Sequence, residues 1–180
     1  MESTLSEILN QARSQDGRTL DELSRQLPTL VVFLRHGGCP FCRETLADVA
    51  RDRSAIESAG NQIALVHMMS DQQACALFQK YALVDLSRFS DSNQRVYHAF
   101  GLQRGNVNQV MGPRVWWRGF KAAILSRHWF GKPVGDVFQL PGAFLIADGK
   151  IVRQFLPKNS ADRPNLLELA ACGGSDARLN

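Results

Sequence analysis

The sequence lacks any long apolar run, any block of like charge, any internal repeat and any low-complexity stretch, and it has only four cysteines. No segment approaches the ~20 apolar residues that span a bilayer, so no membrane span is expected. The start Met1-Glu2-Ser3-Thr4 has neither a basic region nor an apolar stretch behind it, which sets the expectation of a cytoplasmic protein. Lysines and arginines are scattered and the net charge is only +4, so nucleic acid is not an expected partner. The absence of a 20–50-residue period excludes solenoids and arrays. Cys39, Cys42, Cys75 and Cys172 are too unevenly spaced for a disulfide-stapled secreted domain. In a reducing compartment, a C-x-x-C with two isolated cysteines points to redox catalysis or metal binding. A structural zinc site wants four ligands, and neither a second C-x-x-C nor an H-x-x-x-H is present. Redox chemistry is therefore the favoured reading, with no metal and no cofactor beyond the thiols.

What remains is an ordinary globular composition: 180 residues, 44% hydrophobic and 21% charged. It suits one domain over residues 1–172, with a helical extension over about 1–27 and a flexible tail at 173–180. Thr4-Leu5-Ser6-Glu7 and Thr19-Leu20-Asp21-Glu22 both fit capping boxes that open short helices. Thr29 to Leu34 and Gln62 to Met68 are short, continuous and β-branched, the pattern of strands buried on both faces. Between them, Pro40 to Ala59 is helix-forming and stops at Gly60-Asn61. A helix from Ser70 or Asp71 to about Tyr81, a short strand Arg88–Ser90 and a helix opened by Asp91-Ser92-Asn93 follow. Gly112-Pro113 opens a further helix through His128, with Arg114, Arg118 and Lys121 in one row and Trp116, Trp117, Phe120 and Ile124 around the other side. It reads as an amphipathic helix covering a sheet face. Gly142–Ala147, the turn Asp148-Gly149 and Lys150–Phe155 form the clearest hairpin signal, and a last helix spans Asn165–Ala171. The order is that of an α/β protein with a mixed sheet.

The cysteine pair lies where a buried strand hands over to a helix, in Leu34-Arg35-His36-Gly37-Gly38-Cys39-Pro40-Phe41-Cys42. Cys39 is expected at the helix N-cap, where unpaired N–H groups and the helix dipole favour a thiolate. Pro40 suits the first helical position, where its missing N–H is not needed. Cys42 falls one turn on, within disulfide reach of Cys39. Gly37 and Gly38 leave an open approach, and Arg35 and His36 could add positive charge. Cys75 is expected as a buried helix thiol and Cys172 as a spectator near the C-terminus. Pro141 stands directly ahead of the hairpin's first strand.

The blocks Phe33 to Glu44, Phe89-Ser90-Asp91 leading to Tyr97–Gly101, Gly135–Gly142 and Ser160–Pro164 resemble the peroxiredoxin-like redox proteins of the AhpC/TSA type, related to selenoprotein U. The resemblance runs from about residue 28 to 172. It implies a thioredoxin-like fold, a central mixed sheet flanked by helices with a helical insertion before a cis-proline strand. It also implies an antioxidant or oxidoreductase role. By it Cys39 is the attacking thiol, Cys42 its partner and Pro141 the cis-proline. One departure shapes the expected chemistry. Where typical peroxiredoxins carry Pro-x-x-x-Thr-x-x-Cys, counting back from Cys39 gives His36 and Val32.

The expected function is a thiol-dependent oxidoreductase acting on disulfide or peroxide substrates, recharged by a thiol reductant such as a thioredoxin or glutathione system. A non-catalytic thioredoxin-like module for binding or redox sensing is the alternative.

Overall fold

The computed structural model describes residues 2–34, 40–102, 104, 139–157 and 162–171. The expected insertion helix Gly112–His128, Cys172 and the tail lie outside these residues. Strands β1 (Thr29–Phe33), β2 (Gln62–His67), β3 (Ser87–Ser90), β4 (Gly142–Ala147) and β5 (Lys150–Phe155) form one sheet in the order β3-β2-β1-β4-β5. β1 pairs in parallel with β2, and β2 with β3; β4 runs antiparallel to both β1 and β5. The mixed sheet is the one expected.

The unbroken apolar run of β1 makes it the middle strand. All five of its residues are buried. Because strand side chains alternate, Leu30 and Val32 enter one core layer while Val31 and Phe33 enter the other. The first layer is closed by helices α3 (Pro40–Ser58), α4 (Asp71–Gln79) and α6 (Leu166–Ala170), through residues such as Leu46, Phe78 and Leu169. The second is closed by α1 (Glu2–Gln11), α2 (Leu20–Gln26) and α5 (Arg95–Ala99), through Leu9, Leu23 and Tyr97. Among the described residues, no helix is long and apolar enough to cross a membrane.

Local sequence explains most boundaries. α2 opens on the expected capping box: Glu22 N–H donates to the Thr19 hydroxyl at 3.1 Å and Thr19 N–H to the Glu22 carboxylate at 2.7 Å. Ser70 and Gln73 repeat this device at α4. The hairpin has the expected bounds, with Asp148 at φ 49° and Gly149 at φ 72°, the left-handed pair a two-residue turn requires. Two helix starts differ from expectation. α1 begins at Glu2, so Thr4 lies inside it rather than capping it. α5 begins only at Arg95, because the Asp91 carboxylate reaches forward to accept the N–H groups of Arg95, Val96 and Tyr97 at 3.0, 2.8 and 3.2 Å.

Two further expectations are corrected. Among the described residues no peptide bond is cis, so the Leu140–Pro141 bond is trans. Trans is the intrinsically favoured isomer, by ~0.5–1 kcal/mol. The lead-in is tied down before the proline: Gln139 bridges Arg104, and its side-chain amide donates to the carbonyls of Leu102 and Leu140, both at 3.2 Å. Cys75 is half-buried rather than sealed, since Ala74 and Phe78 form the inward face of α4 and Cys75 falls on its flank.

Candidate functional site

The carboxyl end of β1 is where the sheet meets the cysteine motif. Beyond Phe33 the chain is held by one more residue, Leu34, whose N–H donates to the Val66 carbonyl at 2.9 Å. The Leu34 carbonyl accepts from the Tyr97 hydroxyl, which also lies 3.3 Å from the Val66 carbonyl oxygen. Tyr97 is fully buried, and a buried phenol without a partner would be costly. Burial first, then the charges of Cys42 and Asp91, pushes the phenol well above its ordinary pKa, so it stays a donor at any working pH.

The other side of the joint is α3, which opens at Pro40. Its first turn contains no acidic side chain to oppose the positive end of the helix dipole. Cys42, in that turn, is only 3% exposed and packs in the apolar layer with Phe41 and Leu46. The Thr45 hydroxyl donates back to the Phe41 carbonyl at 3.0 Å and steadies the turn. Arg43 follows Cys42; its Nε is buried and has no hydrogen-bond partner among the described residues. Cys39, His36 and Arg35 lie outside the described residues.

Pro141 reaches the same end of the sheet. Phe33 pairs with Gly142, so the antiparallel register puts Pro141 level with Leu34. Gly142 sits in close packing: a Cβ there would stand 2.7 Å from Leu102 Cδ2 and 3.2 Å from Phe144 Cε2, so the Leu102 side chain would have to shift. Leu102 N–H donates to the Tyr97 carbonyl at 2.9 Å. A continuous chain of bonds thus runs from Leu34 through Tyr97 and Leu102 to Gln139 and the Pro141 lead-in. Of the residues singled out in the sequence, the structure brings Cys42 and Pro141 to one end of the sheet.

Two residues at this end were given no site role by the sequence reading, which took His67 only as part of a buried strand and Tyr97 only as part of a family block. Tyr97 had a signal available, since a tyrosine flanked by the apolar Val96 and Phe100 in and just after a short helix is turned inward with them and must find a partner for its hydroxyl. His67 ends β2 at 1% exposure, with Nδ1 3.2 Å from the Met69 carbonyl oxygen and its ring edge-on to Phe78 at 5.6 Å. Its Nε2 has no partner among the described residues. Burial is the main cause that lowers its pKa to about 4, against the opposing Met69 bond and Asp71 charge, with Arg88 adding to the fall.

A mixed sheet with a helix opening directly after the central strand, on a cysteine motif, defines the class: a thioredoxin-fold protein of the peroxiredoxin-like kind. The sequence model of the AhpC/TSA antioxidant enzymes matches residues 48–159, more than half the chain, and the chain belongs to that thiol-based redox family. The match begins after Cys42, so the family is identified without the C-x-x-C motif. The chain is 27% identical to a prostamide/prostaglandin F synthase of Danio rerio over 166 residues, 89% of this chain and 81% of the fish protein. Among solved structures, the peroxidoxin BcpB of Mycobacterium tuberculosis superposes with a TM-score of 0.61 at 16% identity, covering 89% of this chain and 87% of that one. The bacterioferritin comigratory protein of Xanthomonas campestris gives 0.56 at 16% identity, covering 80% and 78%. Both structures speak to the fold alone.

Proposed function

We propose that the protein is a thiol–disulfide oxidoreductase whose working centre is Cys39 and Cys42. The observation that carries this reading is the handover itself. β1 stops at Phe33, α3 starts at Pro40 with an acid-free first turn, and Cys42 is sealed within that turn. A cysteine directly ahead of such a helix is favoured as thiolate, the form that attacks.

In the proposed cycle the Cys39 thiolate attacks one sulfur of a substrate disulfide, and the other sulfur leaves as a thiolate that takes up a proton. Cys42 gives up its proton and attacks Cys39 Sγ, forming the Cys39–Cys42 disulfide and releasing the second substrate thiol. Two electrons have passed from protein to substrate, and an external thiol reductant, of the thioredoxin or glutathione kind, returns them. With a peroxide ROOH, Cys39 would form a sulfenic acid and release ROH, and Cys42 would condense with it to the same disulfide, losing water. Disulfides are the better expected substrate. His36 stands where peroxiredoxins place the threonine that orients the peroxide, and fast O–O cleavage needs groups that stabilise its transition state.

The test is turnover of a protein disulfide, hydrogen peroxide and an alkyl peroxide by wild type, Cys39→Ser and Cys42→Ser, with site-resolved alkylation of each thiol. Cys39→Ser should abolish activity, and Cys42→Ser should accumulate a mixed disulfide on Cys39. Faster alkylation of Cys75 or Cys172 than of Cys39 would overturn the assignment.

A further inference from the structure

The Tyr97 hydroxyl and main chain meet both backbone segments at the thiol end of the sheet. The hydroxyl donates to the carbonyl of Leu34, the residue that leads into the cysteine motif. The Tyr97 carbonyl accepts from Leu102 N–H at 2.9 Å, and the Leu102 carbonyl accepts from the Gln139 amide at 3.2 Å, two residues before Pro141. Tyr97 itself is pinned from two directions. Its N–H lies in the grip of the Asp91 carboxylate at 3.2 Å, and its ring packs edge-on against Phe33 at 5.0 Å. The residue whose hydroxyl holds Leu34 thus cannot shift without moving α5 and the middle strand together. Leu34 is held at both of its backbone groups, by Val66 at the N–H and by Tyr97 at the carbonyl.

We infer that Tyr97 is a positioning residue for the thiol centre: it holds the strand end that leads into Cys39 and the lead-in that presents Pro141 at one fixed spacing. The inference rests on the proposed function and adds to it a residue that never touches substrate. Phenylalanine at 97 would fill the same space but release the Leu34 carbonyl. Disulfide exchange needs three sulfurs in line, so a small loss of placement is felt in rate before it is felt in the fold.

The experiment compares full-length wild type, Tyr97→Phe and Phe100→Leu. The Phe100 ring packs on Phe33 and Phe144 at 5.0 and 4.9 Å, so this variant loosens the same cluster without touching the Leu34 carbonyl. The readouts are melting temperature, the pH profile of Cys39 alkylation followed by mass spectrometry, and kcat and KM for a protein disulfide. Tyr97→Phe should raise the alkylation midpoint and lower kcat roughly ten- to hundredfold, the scale of a misplaced reacting group. Phe100→Leu should lower the melting temperature and leave the midpoint in place. Gln139→Leu cuts the same chain of bonds at its far end and should move kcat in the same direction as Tyr97→Phe, which keeps the test decisive where the latter folds poorly. If Tyr97→Phe and Gln139→Leu leave midpoint and kcat within twofold of wild type, or if Phe100→Leu shifts the midpoint equally, the inference is overturned. A wild type whose Cys39 is no more reactive than Cys75 would instead sink the proposed function.

Discussion

On one face of the sheet the core is mainly aliphatic, a layer that holds Cys42 together with Leu30, Val32, Leu46, Leu65 and Leu145. On the other, Phe33, Tyr97, Phe100 and Phe144 form a cluster of rings with centroids 4.9 to 5.5 Å apart at steep angles. Each face also buries a titratable ring. The aliphatic face holds His67, whose burial favours the neutral imidazole, while the aromatic face holds Tyr97, whose burial favours the protonated phenol. The difference separates two jobs. The face that carries the buried thiol is therefore expected to answer to acid through His67, and the face that carries no cysteine among the described residues places its ring cluster and the Tyr97 hydroxyl at the joint. Edge-to-face rings interlock directionally, whereas aliphatic side chains repack more readily.

The comparison breaks most readily at Phe33, which touches three other rings. Phe33→Ala should cost about 3–5 kcal/mol in urea unfolding. Val32→Ala, one residue away on the aliphatic face, should cost only about 1–2 kcal/mol, for the two carbons removed. A larger loss at Val32 would reverse the assignment of rigidity to the aromatic face.

The acid sensitivity of the thiol face can be isolated at His67. Its unfolded form takes up a proton near pH 6.5, while the folded form resists until about 4. Between those values the unfolded state binds more protons, so stability falls as pH falls through the window. At ~1.4 kcal/mol per pH unit the loss reaches about 3 kcal/mol at pH 4. His67→Phe, which keeps a ring against Phe78, should flatten urea midpoints measured between pH 7 and pH 4.5. A variant that keeps the wild-type slope would move the acid response to other groups. Asp71 and Asp85 act in a lower range, because their arginine partners hold both below the usual carboxylate pKa.

The smallest effect belongs to a site remote from both rings. Thr19→Ala removes the α2 cap and should cost about 1 kcal/mol, with no change in thiol reactivity. A change in Cys39 alkylation in that variant would show that the thiol end responds to general loosening, and would weaken the contrast between the faces.

Several elements were legible because their information is local. The β-branched run at Thr29 declares a doubly buried strand, Thr19-x-x-Glu22 declares a helix start, and Asp148-Gly149 supplies the two left-handed residues of its hairpin. The helix start at Pro40, inside the motif Cys39-Pro40-Phe41-Cys42, was legible in the same way, from a proline suited to the first helical position after a buried strand. Pro141 shows where local reading stops. The family resemblance implied a cis bond, and the bond is trans, in a lead-in tied by the bridge from Gln139 to Arg104 and by the Gln139 amide. Cys75 shows it again, for one step around a short helix separates the sealed Ala74 from a half-buried thiol.

The sequence by itself determined the α/β order, the middle strand and the thiol motif, since period, capping and turn chemistry act over a few residues. Only the tertiary structure decided that Tyr97, far along the chain from Leu34, would close the joint in front of that motif. It also decided that Pro141 would stand level with Leu34. Both depend on strand register and on the demand of buried polar groups for partners, and neither is written in any window of neighbouring residues.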